Sequence, residues 1–271
     1  MAGRDAIPDV LLRKDVFVTS DKANLLEKEM RLDAPYYSSA FLKAKSIVEK
    51  SHYPVVPLID LCEDIFRLTR FKRVWTTKDH GYGYMASTDL IYFKQFRERE
   101  NPDRAFVAKG KHDQKAKIKS ALGKRSPTLA KKGEKRFFVE EGWILVTCSG
   151  SLGRIVLVTK SLCNTFFSHD LIRIVPKKET LEGYLYAYLN SWVGQTFLKR
   201  DKYGGWVKHI EPDQIKSIPV LLLPPNLREE IHKRVMGAYQ HREEFSEEEI
   251  SAVNEADLIL SEIEHTPKDL I

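Results

Sequence analysis

Short apolar runs divided by turn residues fill the middle of the chain, and helical spacing takes over towards its end. Residues 38–50 (SSAFLKAKSIVEK) predict a short helix, capped by a serine, with Phe41, Ala44, Ile47 and Val48 on one face. A β-rich stretch follows. Its candidate strands are VVPLIDL (55–61), YGYMAS (82–87), LIYF (90–93), RFFVE (136–140), WILVTC (143–148), RIVLVT (154–159) and LIRIV (171–175), most of them separated by Gly, Ser or Asp. Residues 109–136 interrupt this stretch as a long lysine-rich loop, a length that is uncommon inside a domain unless it serves a function.

Residues 180–198 (TLEGYLYAYLNSWVGQTFL) carry the clearest helical pattern, with Leu181, Tyr184, Leu185, Tyr188, Leu189, Trp192, Val193 and Phe197 at i, i+3, i+4, i+7 spacing. The stripe predicts core packing, not base stacking. After it comes a polar loop, KRDKYGGWVKH (199–209), and then the apolar run SIPVLLL, closed by Pro224 and Pro225. From Leu227 to Glu264 the pattern becomes that of a long helix, about 57 Å if continuous. Ile231, Val235, Ala238, Phe245, Ala252, Ala256, Ile259 and Ile263 form a seam with a repeat near 3.5, as in coiled coils, although Arg242 and Glu249 also fall on it. A helix folded back on its own domain fits the same pattern. Ser246 followed by Glu249 also permits a capping box that splits the segment in two.

Charge adds a direction to this layout. The net charge is +6, yet residues 109–136 hold eleven Lys/Arg against Asp113 and Glu134, a net of +9, whereas residues 226–271 hold five basic against twelve acidic residues, a net of −7. Basic segments attract polyanions, chiefly nucleic acid, and the acidic tail suits a different, basic partner. Three basic segments are candidate DNA contacts. The first is FRLTRFKR (66–73), with Arg67, Thr69, Arg70, Lys72 and Arg73 interleaved with Phe66 and Phe71. Arginine can hold guanine O6 and N7 with two hydrogen bonds, and threonine can reach bases or phosphates. The second is Lys109, Lys111, Lys115 and Lys117 of the long loop. The third is Lys199, Arg200, Lys202, Tyr203, Gly204, Gly205, Trp206 and Lys208, where the paired glycines allow close backbone approach. His209 abuts Ile210 and is expected to make a structural hydrogen bond.

Catalytic chemistry is sparse. There is no GxxxxGK[ST] phosphate loop and no HExxH pair. Pro102-Asp103 with Asp113-Gln114-Lys115 imitates the spacing of metal-dependent nucleases, but its second half lies in lysine-rich loop sequence. Ser168-His169-Asp170 spells a triad in a row, which neighbouring residues on a strand cannot assemble. Cys148-Ser149-Gly150 has no identifiable base beside it. The three cysteines, Cys62, Cys148 and Cys163, lack metal-ligand or disulfide spacing and fit a reducing cytoplasm. No apolar run reaches the roughly 18–20 residues that span a bilayer, so no membrane partner is expected, and Arg4, Asp5 and Asp9 interrupt any signal-peptide core at the start.

The order of segments resembles that of type I restriction–modification specificity subunits. EGWILVTCSGSLGRIVLV (141–158) is similar to that family's strand pair around S-x-x-G-x-x-G, and TFFSHDLIRIVP (165–176) to the strand that follows. GYLYAYLNSWVGQTFL (183–198), GGWVKHIEPDQIKSIPVLLLPP (204–225) and LREEI (227–231) resemble its helix, its closing strand and the start of its spacer helix; RLDAPYYS (31–38) and GYGYMASTDL (81–90) fit upstream. The sequence departs from the family pattern where Trp143 replaces the usual Asp, and in having room for one recognition domain where the family usually has two. The resemblance implies an α/β (α+β) fold divided into a 1–30 extension, a 31–225 DNA target recognition domain, a 226–265 spacer and dimerisation helix and a 266–271 tail. It implies a non-catalytic chain that binds a half-site of double-stranded DNA and docks on DNA methyltransferase subunits, which would supply S-adenosylmethionine. A restriction nuclease subunit and a second copy of the chain are further expected partners. A small metal-dependent nuclease, or a fragment of a fused restriction–modification enzyme, is the alternative to a specificity subunit. A protein-interaction adaptor is another.

Overall fold

The computed structural model describes residues 38–71, 73–91, 106–108, 137–163, 165–200 and 209–265. The elements, in chain order, are α1 (Ser39–Glu49), β1 (Val55–Pro57), β2 (Cys62–Arg67), β3 (Trp75–Thr76), β4 (Gly81–Met85), α2 (Ser87–Ile91) and β5 (Phe106–Ala108). After these come β6 (Ile144–Thr147), β7 (Ile155–Leu157), β8 (Phe166–Phe167), β9 (Leu171–Pro176), α3 (Glu182–Asn190) and α4 (Trp192–Arg200). The chain closes with α5 (Pro212–Lys216), β10 (Pro219–Leu221) and α6 (Pro225–His265). The class is mixed α/β, as expected.

The principal sheet has the order β2-β9-β6-β7, with antiparallel neighbours throughout. Its inner strands, β9 and β6, are apolar apart from Arg173 and Thr147, because both faces are covered. The two-residue alternation is still present, but it sorts residues between two cores. Ile144, Val146, Ile155, Leu157, Ile172 and Ile174 face the larger core, shared with Leu185, Leu189, Val193 and Leu198 of the helices. Leu145, Val156 and Leu171 face a smaller core with Met85 and Phe167. A second sheet, β3-β5-β4-β8, contains the one parallel pair, β4 with β8. A third, aromatic cluster lies against it: Phe137 and Phe166 stack with centroids 4.5 Å apart, and Phe71 meets both edge-on. β10 pairs with β1 alone, anchored by the Tyr188 hydroxyl donating to the Pro219 carbonyl.

Several elements differ from the sequence expectation. The 90–93 run begins inside α2, whose start is secured by Ala86 N–H donating to Asp89, so it is not a strand there. Phe137, in a 3-10 turn, and Val139, in a loop, are buried because their side chains fill cores, not because they sit in a ladder. The VVPLIDL run is strand only to Pro57 and then turns as a 3-10 helix. The 180–198 helix is two helices. Ser191 has φ −59° and ψ 158°, outside the helical range, and its hydroxyl accepts the Gly194 N–H to cap α4. A side chain at Gly194 would lie 2.2 Å from the Tyr188 carbonyl oxygen, so only glycine allows this tight joint. α1 forms as expected, with Ser38 accepting the Phe41 N–H.

α6 runs as one helix of 41 residues through Ser246. Its first turns belong to the body: Val235 and Met236 pack on the larger core, and Tyr239 is buried in it. His232 Nδ1 accepts the Gly183 N–H at the start of α3, and Tyr186 meets Tyr239 edge-on. Tyr239 also closes the open edge of the sheet, its hydroxyl accepting the Leu157 N–H of β7 at 3.1 Å, and Glu243 accepts the Ser161 N–H just beyond. The helix thus covers an edge that would otherwise present unpaired groups. Among the described residues no helix is long and apolar enough to cross a membrane.

Tyr239→Phe leaves the buried Leu157 N–H without an acceptor. The variant is expected to lose about 1–3 kcal/mol of stability, measured by chemical denaturation, with the far-ultraviolet circular dichroism spectrum unchanged.

Candidate nucleic-acid interface

The antiparallel register brings the chemistry to one end of the principal sheet. Arg67, the last residue of β2, lies opposite Ile172, and Thr147, the last of β6, lies opposite Leu171. The loop after β2, the turn before β9 and the β6–β7 hairpin therefore share one rim. His209 joins them by bridging to Ser149, and the Ile210 N–H donates to the Cys148 carbonyl.

The turn Ser168–Asp170 is held from beneath by Arg173. This arginine is fully buried, and its guanidinium donates to the carbonyls of Leu171, Phe167 and Ser168 at 2.9–3.3 Å. Within the turn, Ser168 bonds to Asp170 and not to His169, so the apparent triad is a turn motif with no nucleophile–base contact between serine and histidine in line. His169 Nε2 lies 3.5 Å from Asp170, and its ring meets Phe71 edge-on at 5.5 Å. Burial, above all, holds the His169 imidazole below its ordinary range; Asp170 opposes this, while Arg73, Arg70 and Arg67 reinforce it.

The three arginines of the 66–73 segment have different surroundings. Arg67 pairs with Glu211 at 3.1 Å and approaches the Cys148 sulfur at 3.9 Å. Glu211 in turn begins α5 through a reciprocal capping box with Gln214. Arg67 is thus tied to the segment that leaves the Gly-Gly loop. Arg73 donates to the Tyr84 hydroxyl at 2.9 Å and lies over that ring. Arg70 stands exposed with Thr69, between Leu68, which is buried, and Phe71, which is packed among aromatic rings. Two anchored residues therefore present Thr69 and Arg70 outward on a braced loop. Lys72 lies outside the described residues.

The other basic segments begin and end at this rim. Lys109, Lys111, Lys115 and Lys117 lie outside the described residues, but both flanks of their segment are described. Ala108 donates its N–H to Val74, one residue from Arg73, and Phe137 packs against Phe71. Lys202, Tyr203, Gly204, Gly205, Trp206 and Lys208 also lie outside them. Their segment leaves from α4, where Arg200 lies 4.1 Å over the Phe41 ring and Lys199 is exposed, and returns at His209. The hairpin meets α4 closely: Gly153 has φ +74°, and a side chain there would lie 2.8 Å from Leu198 and Lys199. Cys62 and Cys148 are buried free thiols, and burial pushes both up from the usual thiol range. Among the described residues no group of three or more His, Cys, Asp or Glu is placed to hold a metal ion, and Asp103 and Asp113 lie outside them.

Sequence reasoning missed two features of the rim. Arg173 read as one polar residue in an apolar strand, and its burial was the available signal. Asp170 was weighed only as part of a triad.

Residues 88–251 match the model of the type I restriction modification DNA specificity domain. That match covers more than half of the chain, and the chain belongs to this family. The order of motifs in the sequence implied the same family. Solved structures similar to it include the type I restriction–modification S subunit from M. genitalium (15% identity, 71% of this chain and 40% of that one, TM-score 0.41). The HsdS subunit from Thermoanaerobacter tengcongensis is another (11%, 74% and 43%, TM-score 0.42). The type IIG restriction endonuclease BpuSI is a third (12%, 79% and 30%, TM-score 0.49). The chain spans less than half the length of each. No curated protein matches it.

Arg70→Ala is expected to weaken binding to the preferred DNA by about 1–3 kcal/mol and to relax preference at one base pair. Arg67→Ala is expected instead to lower the melting temperature and weaken all sequences alike, since it releases Glu211. Competition binding with single-base variants of the site, beside thermal melts, separates the two.

Proposed function

We propose that this chain reads a half-site of double-stranded DNA with the rim defined by Arg70, the Ser168–Asp170 turn and the His209 bridge, and directs a partner adenine methyltransferase to it. The reading is supported by the described flanks of the other two basic segments, Ala108 and Phe137 on one side and Lys199 and His209 on the other, which lie against the 67–74 segment and the β6–β7 hairpin at one end of the principal sheet. Arg70 and Thr69 are the base-reading candidates. The lysines of 109–136 supply phosphate contacts, which strengthen binding to every sequence and make it salt-dependent. Arg67 and Arg200 act mainly by positioning, given their partners within the domain. The methyltransferase supplies S-adenosylmethionine, and a nuclease subunit supplies any cleavage.

Assembly falls to α6, which uses two faces. His232, Val235, Met236, Tyr239 and Glu243 are turned to the body, which withdraws Val235 from the expected pairing seam. Ala238, Phe245 and Ala252 are exposed, and Phe245 shows 67% of its surface. They form one stripe beside the docked face, and in the sequence Ile231 and Ile259 continue its seven-residue spacing. A second copy packing on this stripe would place two recognition domains on one duplex, in opposite orientations. The acidic remainder of the helix suits basic surfaces of the methyltransferase. The recognition domain of this reading takes in the docked turns of α6 as well as residues 31–225.

Co-production with the methyltransferase encoded beside it should place methyl groups at one sequence motif, detected by mapping modified bases. Methylation that is unchanged when the chain is omitted would overturn the reading. Phe245→Glu should convert dimer to monomer in sedimentation velocity with no loss of thermal stability. A wild-type chain that is monomeric at high concentration, alone and with the methyltransferase, would remove the second copy from the proposal.

A further inference from the structure

Resting on the reading that the rim faces DNA, a negative charge in the middle of it requires a reason. Asp170 stands among Arg67, Arg70 and Arg73, all of which act on its neighbour His169, and its side chain is 38% exposed. A carboxylate aimed at phosphates repels them, so at a purely electrostatic surface it would weaken binding to every sequence.

The carboxylate is also unusually well held. The Asp170 carbonyl accepts the Cys148 N–H at 3.2 Å, and the Asp170 N–H donates to Ser168 Oγ at 3.2 Å. The Ser168 N–H is fixed to the Met85 carbonyl, and buried Arg173 holds the carbonyls of Phe167 and Ser168. Of the two carboxylate oxygens, Oδ2 accepts from Ser168 Oγ at 3.3 Å, and Oδ1 lies 3.5 Å from His169 Nε2. An ionised carboxylate has about four lone-pair positions, so acceptor capacity remains on its exposed side. Burial keeps His169 largely neutral at neutral pH, so the imidazole does not cancel the charge.

We infer that Asp170 is a specificity-determining residue that reads cytosine, accepting a hydrogen bond from the N4 amino group in the major groove. The base edges decide this choice. Cytosine offers an amino donor with no acceptor beside it, whereas adenine places N7 next to its N6 amino group, and guanine and thymine present acceptors that a carboxylate repels. The half-site therefore contains a C·G pair at the position facing the Ser168–Asp170 turn. The carboxylate sacrifices general affinity and gains discrimination at that pair, while the surrounding arginines supply the attraction that keeps the complex together.

The test is selection of short duplexes with a randomised centre by the full chain, comparing wild type, Asp170→Ala and Asp170→Asn, with affinity for random DNA measured in parallel. Asp170→Ala should lose about ten- to a hundredfold of the preference for one C·G pair, as expected for a single base contact, while binding random DNA as well as wild type or better. Asp170→Asn retains one oxygen, able to accept from Ser168, and turns the other position into an amide donor, so its preference at that pair should move from cytosine towards adenine, whose N6 and N7 match an amide. If Asp170→Ala proves unfolded in thermal melts, Asp170→Asn decides the matter. A wild-type motif retained unchanged by a folded Asp170→Asn would overturn the inference while leaving DNA reading by the rim intact. A wild-type chain that selects no motif would overturn both.

Discussion

Burial of the β2-β9-β6-β7 sheet on both faces is the constraint on which the rest of the structure depends. Short of Thr147 at the end of β6, strands β6, β7 and the start of β9 have nowhere to present a polar side chain, because one face meets the helices and the other meets the Met85–Phe167 core. Polar chemistry is thereby displaced to the strand ends. The antiparallel register then decides which ends coincide, and it gathers the loop after Arg67, the Ser168–Asp170 turn and the Cys148–Gly153 hairpin into one rim. A one-residue slip would exchange the residues of the two cores and carry Arg173 to the opposite face, away from its carbonyl acceptors, so the register is strongly specified.

Arg173 is the exception within the sheet and shows what an exception requires. A guanidinium fully removed from water is strongly unfavourable unless its donors are used, and here the two terminal nitrogens are directed to carbonyls of the chain just upstream. The consequence is a turn that is rigid for a reason internal to the domain. Phe71, packed among Phe137, Phe166 and His169, braces the neighbouring loop in the same way. Both loops that carry the proposed reading groups are thus secured by groups packed within the domain. That arrangement lowers the ordering cost of binding, which favours discrimination between similar sequences.

The long helix links recognition to assembly. Its first turns are fixed to α3 through Gly183 and His232, and to the sheet edge through Tyr239 and Glu243. An α-helix advances about 1.5 Å per residue, so fixing its base sets the direction in which whatever it carries is held. The same anchoring separates the docked face from the heptad stripe of Ala238, Phe245 and Ala252, so packing on the body and pairing with another helix need not compete.

Much of this was legible in the residues. The spacing around Phe41, the aromatic stripe of 181–197 and the long helix after Pro225 appear as helices because burial on one face imposes a 3.6-residue period. Family membership was legible in the order of motifs, since Gly153, the Tyr-rich helix and the closing strand each answer a local steric need. The break at Ser191 was not, because it arises from the approach of Gly194 to the Tyr188 carbonyl. Nor could the pattern say that Val139 fills a core from a loop, or that 90–91 is helical: short apolar runs satisfy strand, helix and loop burial equally. The different roles of Arg67, Arg70 and Arg73 were beyond sequence altogether. All three are arginines in one basic run, and what distinguishes them is Glu211, Tyr84 and open solvent, partners brought from 144 and 11 positions away or absent by virtue of the fold. Local periodicity records which side of an element is buried. Which charges meet depends on long-range register, and that is decided only when the sheets close.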